Sequence, residues 1–294
     1  MVSIARHLPA KTILFATDFL ESSRLALDYA VAFAGHYDAR LLIVHVLHMD
    51  QPAAEVEALR EGPSISRRHS EIRLEAFAAG VRNAGVNAEW RLVEGWVPEG
   101  LLAEARSLAP DLLVLGTHGV YRGLAHMLIG SNAEEMLLNS PCPTLTVGRH
   151  VPGGVSPDFA PEYVFYITDF TPESAKAAPY AVRLADDFHA RLQICHFLPG
   201  GSHGNKQEQH KLAETYCDAI RRMMPGAESS WCAPGEQLEH GASKEEILRR
   251  VRADAAGLIV MGVKGESQLV RHMHTSLAYE LVATAACPVF TIRC

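Results

Sequence analysis

The chain has 294 residues, 48% hydrophobic and 21% charged, which suits a globular protein with two cores and excludes a disordered tail. Lys and Arg number 27 against 34 Asp and Glu, a formal charge of -7. That balance argues against a duplex-DNA binder but leaves room for a local site for one small anion.

The predicted elements alternate along the chain. Residues 12–16 form a short apolar strand ending at Thr17-Asp18. Residues 22–34 carry a broad helical apolar face that Gly35 is expected to close. Strands follow at 41–47, 88–93, 112–115 and 144–147, with helices at 64–84, 98–108 and 131–138 between them. Pro98 sits in the first turn of its helix. In the second half the clearest strands are 164–167, 192–197, 258–261 and 289–292. Strict alternation, with Leu, Ile and Val at both strand parities, predicts an α/β fold with a mostly parallel sheet covered by helices on both faces.

The two halves are copies. A shift of 151 residues lays Thr17-Asp18-Phe19 on Thr168-Asp169-Phe170, Tyr29-Ala30-Val31 on Tyr180-Ala181-Val182, and His45 on His196. From Thr12 to His48 this shift gives 15 identities in 37 positions without a gap. Farther on, Cys142-Pro143 meets Cys287-Pro288 at a shift of 145, as small loop deletions would produce. The expected organisation is a first domain at 1–150, a linker at 151–161 within a Pro- and Gly-rich stretch, and a second domain at 162–294.

In an open parallel sheet, ligands bind beyond the carboxyl ends of the strands. After the first strand comes Asp18, repeated as Asp169; after the fourth comes Gly116-Thr117-His118-Gly119, repeated as Gly262-Val263-Lys264-Gly265. Gly130-Ser131 opens a helix, repeated as Thr275-Ser276. Glycines admit phosphate oxygens to backbone amides, and a helix N-terminus adds further amides. The same residues also read as tight turns, with Ser131 an N-cap and Asp18 a capping carboxylate. Both readings remain open on spacing alone.

Residues 13–19, 42–46 and 111–119, with Gly130-Ser131, resemble a universal stress protein domain, whose signature is G-x2-G-x9-G-[ST] after the fourth strand. The resemblance covers both halves. It implies two tandem doubly wound domains, each a five-stranded parallel sheet, related by a pseudo-two-fold as an internal pseudo-dimer, with a homodimer of chains left open. From the ATP-binding branch of the family it implies that Thr17 and Asp18 flank the adenosine, that the Val46 main chain meets the adenine edge, and that Gly116, Gly119, Gly130, Ser131 and Asn132 line the phosphates. Ten residues rather than nine separate Gly119 from Gly130. In the second half Asp169, Gly262, Lys264, Gly265 and Ser276 are the weaker counterparts, because Thr275 replaces the third glycine and Phe197 stands at the place of Val46.

The sequence contains no P-loop, no G-x-G-x-x-G after a first strand, no H-E-x-x-H and no G-x-S-x-G elbow. The six cysteines form no C-x-x-C pair and read as buried hydrophobes in a reducing compartment. His126, His272 and His274 read as solvated loop residues rather than metal ligands, and the repeated His45 and His196 as fold constraints. The first nine residues lack an apolar core of signal-peptide length, and no run of about 18 apolar residues follows. The expectation is a cytoplasmic stress-response sensor or regulator that binds ATP, with or without Mg, mainly in the first domain. Its output is an unidentified regulatory protein, with neither nucleic acid nor membrane as partner and at most slow ATP turnover. The alternative is a nucleotide-independent scaffold with degenerate pockets.

Overall fold

A computed structural model describes residues 10–48, 62–117, 129–169, 174–197, 238–242, 244–253, 257–263 and 277–293, with single positions at 171, 211, 214, 215 and 218. The first half runs β1 (Thr12–Ala16), α1 (Glu21–Tyr37), β2 (Arg40–Leu47), α2 (Gly62–Asn83), β3 (Ala88–Glu94), α3 (Val97–Leu108), β4 (Leu112–Gly116), α4 (Ser131–Asn139) and β5 (Thr144–Val147). The second half runs β6 (Tyr163–Thr168), a 3-10 turn (Ser174–Ala177), α5 (Ala178–Asp187), β7 (Arg191–Phe197), β8 (Leu238–Ala242), α6 (Lys244–Ala253), β9 (Gly257–Val263), α7 (Leu277–Thr284) and β10 (Val289–Arg293).

The described strands form one sheet in the order β3-β2-β1-β4-β5-β10-β9-β6-β7-β8. Every neighbouring pair is parallel except β5 and β10, which run antiparallel. Each half is thus a doubly wound unit, and the last strand of each pairs with the last strand of the other. The join is close to symmetric. Leu145 faces Phe290 at its centre. On one side the Thr146 hydroxyl donates to the Val289 carbonyl at 3.1 Å, and on the other the Thr291 hydroxyl donates to the Thr144 carbonyl at 3.2 Å. A shift of 145 residues exchanges these two bonds, so they are pseudo-two-fold images. The tandem pseudo-dimer hides both inner sheet edges, which would otherwise present open pairing groups.

Strand parity sorts the core. Ile13, Phe15, Leu41, Ile43, Leu112 and Val114 point to one face, where Ala26, Ala30 and Phe33 of α1 and Leu74 and Ala78 of α2 cover them. Leu14, Leu42, Val44, Leu113 and Leu115 point to the other, under Leu101 and Leu102 of α3 and Ala133 and Met136 of α4. The second half follows suit, with α5 on the first face and α6 and α7 on the second. Burial on both faces explains why these strands are apolar at every position. Helix α1 corrects one expectation. It runs through Gly35 to Tyr37 and closes at Asp38, which takes the left-handed conformation (φ 50, ψ 42). Asp tolerates this region better than most residues, and the Ala39 amide completes the cap by donating to Ala34 O at 2.8 Å. The copy repeats it: His189 has φ 52, and the Ala190 amide donates to Ala185 O at 2.9 Å.

The segment between the halves has neither helix nor strand, yet it is packed. The Phe159 ring lies 5.2 Å from Tyr29 and 6.0 Å from Phe188, and the Gly154 amide donates to Asp28 Oδ2 at 3.2 Å. Tyr37 donates to Asp187 Oδ2 at 2.8 Å, so α1 and α5 also meet directly. Among the described residues no helix is long and apolar enough to cross a membrane. Cys195 and Cys287 are buried, and burial pushes the Cys142 thiol up to about 11, so it stays protonated at neutral pH.

Candidate functional site

The strand order reverses between β1 and β4 in the first half, so the carboxyl ends of β1, β2 and β4 flank a crevice there. The β1 exit is a fixed turn. The Thr17 amide donates to Val44 O at 2.9 Å, and its hydroxyl accepts from the Phe19 amide at 2.9 Å and pairs with Ser23 Oγ at 3.1 Å. Thr17 is therefore buried in the turn itself. Asp18 projects to the exposed side, where its Oδ1 accepts the Leu20 amide at 2.9 Å; among the described residues that is its one hydrogen bond. The capping reading of Asp18 describes this bond, which closes a turn on the residue two positions on.

Phe19 pays for this turn with a left-handed backbone (φ 64), which costs a non-glycine residue on the order of 1 kcal/mol. Its surroundings hold it there. The Arg73 guanidinium stands 4.2 Å over the ring and donates to Phe19 O at 3.2 Å, and the His45 ring lies 4.4 Å away. His45 Nδ1 donates to Thr17 O at 2.7 Å. His45 is thus a structural clasp on the β1 exit, in line with its repetition. Burial holds the His45 imidazole below its ordinary value, against the pull of the Thr17 carbonyl and Asp18, while Arg73 lowers it further.

The sign follows from linkage. A His with a folded pKa below its unfolded value gives its full stability above about 6.5 and loses it as pH falls toward the folded value. Melting temperature is therefore expected to drop between about pH 7 and pH 5. His45→Asn, which retains a donor for Thr17 O, is expected to flatten that slope. His36 is also held low, by burial first and by His189 against the pull of Asp187, so part of the slope remains. An unchanged slope in the variant would remove His45 from the account.

Strand β2 extends beyond β1. Arg40 N bonds to Lys11 O and Val44 O receives Thr17 N, whereas Leu41 N and Leu47 O bond on the β3 side. Alternation then turns the main-chain groups of Val46 toward β1, past the point where β1 has ended. The side chain of Val46 is buried under α3, where a Cβ on Gly100 would come within 3.2 Å of both its methyls.

At β4, Gly116 has a packing role. A Cβ there would stand 2.7 Å from the Ser22 carbonyl carbon and oxygen. Its lack of a side chain is what lets α1 start against the end of β4. Thr117 is fully buried, and the chain returns at Gly130, whose amide donates to Thr117 O at 2.7 Å. Gly130 itself is the N-cap of α4, in extended conformation and with no side-chain bond to the first-turn amides. This corrects the N-cap reading of Ser131. The serine is the first helical residue, and Ser131 and Asn132 are both exposed. Gly119 lies outside the described residues.

The second half builds the same turn differently. Thr168 Oγ1 pairs with Ser174 Oγ at 2.8 Å, as Thr17 does with Ser23. Asp169, however, is tied down: its Oδ1 accepts both the Thr171 amide at 3.0 Å and the Thr171 hydroxyl at 2.7 Å. Burial pushes its carboxyl up, but the hydrogen bonds of Thr171 and Ser174 more than offset this and hold it below the usual carboxylate value. The residue matching Thr171 in the first half is Leu20, which has no hydroxyl. Strand β7 also slips register against β8 between Cys195 and Phe197, where the first half keeps Val46 regularly opposite Val93. Gly262 pairs in parallel with Ile292, one residue before the pairing ends at Val263, while Lys264, Gly265, Thr275 and Ser276 lie outside the described residues, as do His126, His272 and His274.

Three neighbours of the first crevice escaped the sequence reading. Arg73 sits one turn from Phe77 on α2 and carried no motif. Trp96, the α3 N-cap residue, is 56% exposed and packs 4.9 Å from His48 at the same end of the sheet. Tyr279 reaches over from the second half. Only the pairing of a large exposed apolar residue with Gly95 and Pro98 hinted at Trp96.

Two doubly wound α/β units joined through their last strands define a tandem fold class. The universal stress protein family model matches residues 9–148 and again 164–293, so the chain belongs to the universal stress protein family, with two such domains in tandem. It is 33% identical over 143 residues to a universal stress protein of Thermus aquaticus, covering 47% of this chain and 98% of that protein. It is 30% identical over 142 residues to one from Methanocaldococcus jannaschii, covering 47% of this chain and 82% of that protein. Over the full length, the crystal structure of a universal stress protein from Archaeoglobus fulgidus has the same fold, with TM-score 0.70 at 17% identity over 96% of this chain and 98% of that one. A putative universal stress protein from Pseudomonas aeruginosa follows with TM-score 0.66 at 16% identity, over 98% and 95%.

Proposed function

We propose that this tandem universal stress protein binds an adenine nucleotide, ATP, at the β1–β4 crevice of its first half, and that it acts in the cytoplasm as a stress-response sensor or regulator. The observation that carries the reading is the inequality of the two β1 turns. Asp18 is exposed and accepts one bond, from the Leu20 amide, whereas half-buried Asp169 accepts both the amide and the hydroxyl of Thr171. In this reading Thr17 and Asp18 flank the ribose, with Thr17 shaping the turn and Asp18 accepting from a hydroxyl. The Val46 main chain receives the adenine edge, and Gly116, Gly119, Gly130, Ser131 and Asn132 surround the phosphates. The uncapped N-terminus of α4 supports the phosphate assignment, since its amides and dipole favour an anion. A magnesium ion would then accompany the phosphates. Asp169, Gly262, Lys264, Gly265 and Ser276 form the weaker second site. The domain limits adopted are 1–150 and 162–294, with 151–161 as linker. The output is binding-linked stability read by a regulatory protein, with no catalytic residue assigned.

Ligand that binds only the folded state stabilises it by about 2.7 kcal/mol at a hundred times its Kd. ATP is therefore expected to raise the melting temperature of the full chain in a concentration-dependent way. No shift at millimolar ATP would leave the nucleotide-independent scaffold as the surviving reading.

A further inference from the structure

The chain enters α4 under a residue of the other half. The Ile129 amide donates to the Tyr279 hydroxyl at 3.1 Å, in a buried contact between α7 of the second half and the residue just before Gly130. Tyr279 is 3% exposed. The next amide, Gly130, is pinned by Thr117 O of its own half. Two consecutive amides thus hold the entry to α4, one bonded to each half. A buried amide left without an acceptor is costly, so the second half has leverage over this backbone.

The two halves place different residues at this position. A shift of 145 residues puts Glu134 of α4 where α7 has Tyr279. Glu134 faces Tyr279 closely enough to act on its hydroxyl electrostatically. The twofold-related positions therefore differ, and the residue that reaches across belongs to the half whose own Asp169 is engaged.

We propose that Tyr279 is a positioning residue for the phosphate end of the first-half site, making ATP affinity there depend on the docking of the second half. This rests on the nucleotide reading of the first half. It adds a physical reason for keeping a second half whose own pocket has changed: it braces the loop of the first.

The test uses the full chain with Tyr279→Phe, and Tyr166→Phe as the control. Tyr166 donates a comparably buried hydroxyl to Ser174 O at 3.1 Å, away from the first crevice. In nucleotide-free Tyr279→Phe, amide hydrogen exchange at Ile129 and Gly130 is expected to accelerate. ATP is expected to bind about fivefold more weakly or worse, because the unmet amide lets the phosphate end shift. Adenosine, which lacks phosphates, is expected to bind as it does to wild type. The control is expected to lose melting temperature without either effect. Unchanged exchange at Ile129 overturns the proposal, as does equal weakening of ATP and adenosine or the same ATP loss in the control. If wild-type protein binds neither ligand, the nucleotide reading falls; the exchange measurement still judges the Ile129 anchor by itself.

Discussion

Phe290→Ala is expected to destabilise the chain by about 3–5 kcal/mol, the range for truncating a buried aromatic ring. Phe290 is 1% exposed and lies opposite Leu145 at the centre of the join between halves. Its ring also packs 5.9 Å from Tyr180 of α5. The join is narrow, with three residue pairs in register and two reciprocal threonine bonds. Backbone pairing of that length cannot hold two domains without the apolar contacts beneath it. A large loss in urea midpoint at unchanged slope would agree. A loss below about 1 kcal/mol would mean that the site collapses around the cavity and that the join is held elsewhere.

Gly116→Ala comes next, with an expected loss of about 1–3 kcal/mol or more. The glycine has no unusual backbone angle, so the effect is purely one of space. The added methyl would sit 2.7 Å from backbone atoms of Ser22 and 3.0 Å from the Ser23 nitrogen. Backbone cannot rotate away as a side chain can, so α1 must move off β4. Ser23 pairs with Thr17, and the β1 turn that presents Asp18 would move with it. ATP affinity should therefore fall together with stability, although Gly116 need not touch the nucleotide. Alanine at Gly80, inside α2 with nothing within 4 Å of an added Cβ, is the comparison: it is expected to hold or raise stability, by up to about 1 kcal/mol, and to leave ATP affinity unchanged. Equal behaviour of the two variants would contradict the packing role.

The fold was legible because burial on both sheet faces writes itself as uninterrupted apolar runs, and because the chain carries the pattern twice. The β1 turn was legible as well, since Thr17-Asp18 recurs as Thr168-Asp169. Its internal difference was not: Leu20 against Thr171 is an unremarkable pair until the hydroxyl is seen on the carboxylate. The α1 terminus misled because Gly is the usual left-handed cap, and here Asp38 takes that role three residues later. The packing of Gly116 against the start of α1 was not legible, since glycine spacing cannot tell a phosphate from a neighbouring helix backbone. Tyr279 was invisible, because its partner Ile129 lies 150 residues away in the other half. Contacts across the pseudo-two-fold exist only once β5 and β10 have paired.

The central claim is that the first half holds the main nucleotide site. Calorimetric titration of ATP into the full chain, wild type beside Asp18→Asn and Asp169→Asn, tests it most directly. Asparagine at position 18 retains an acceptor for the Leu20 amide, so the turn survives while the charge is lost. The account predicts one dominant site, an affinity there about tenfold lower in Asp18→Asn for the loss of one charge-assisted hydrogen bond, and no change at that site in Asp169→Asn. Two sites of equal affinity, or a loss confined to Asp169→Asn, would contradict it.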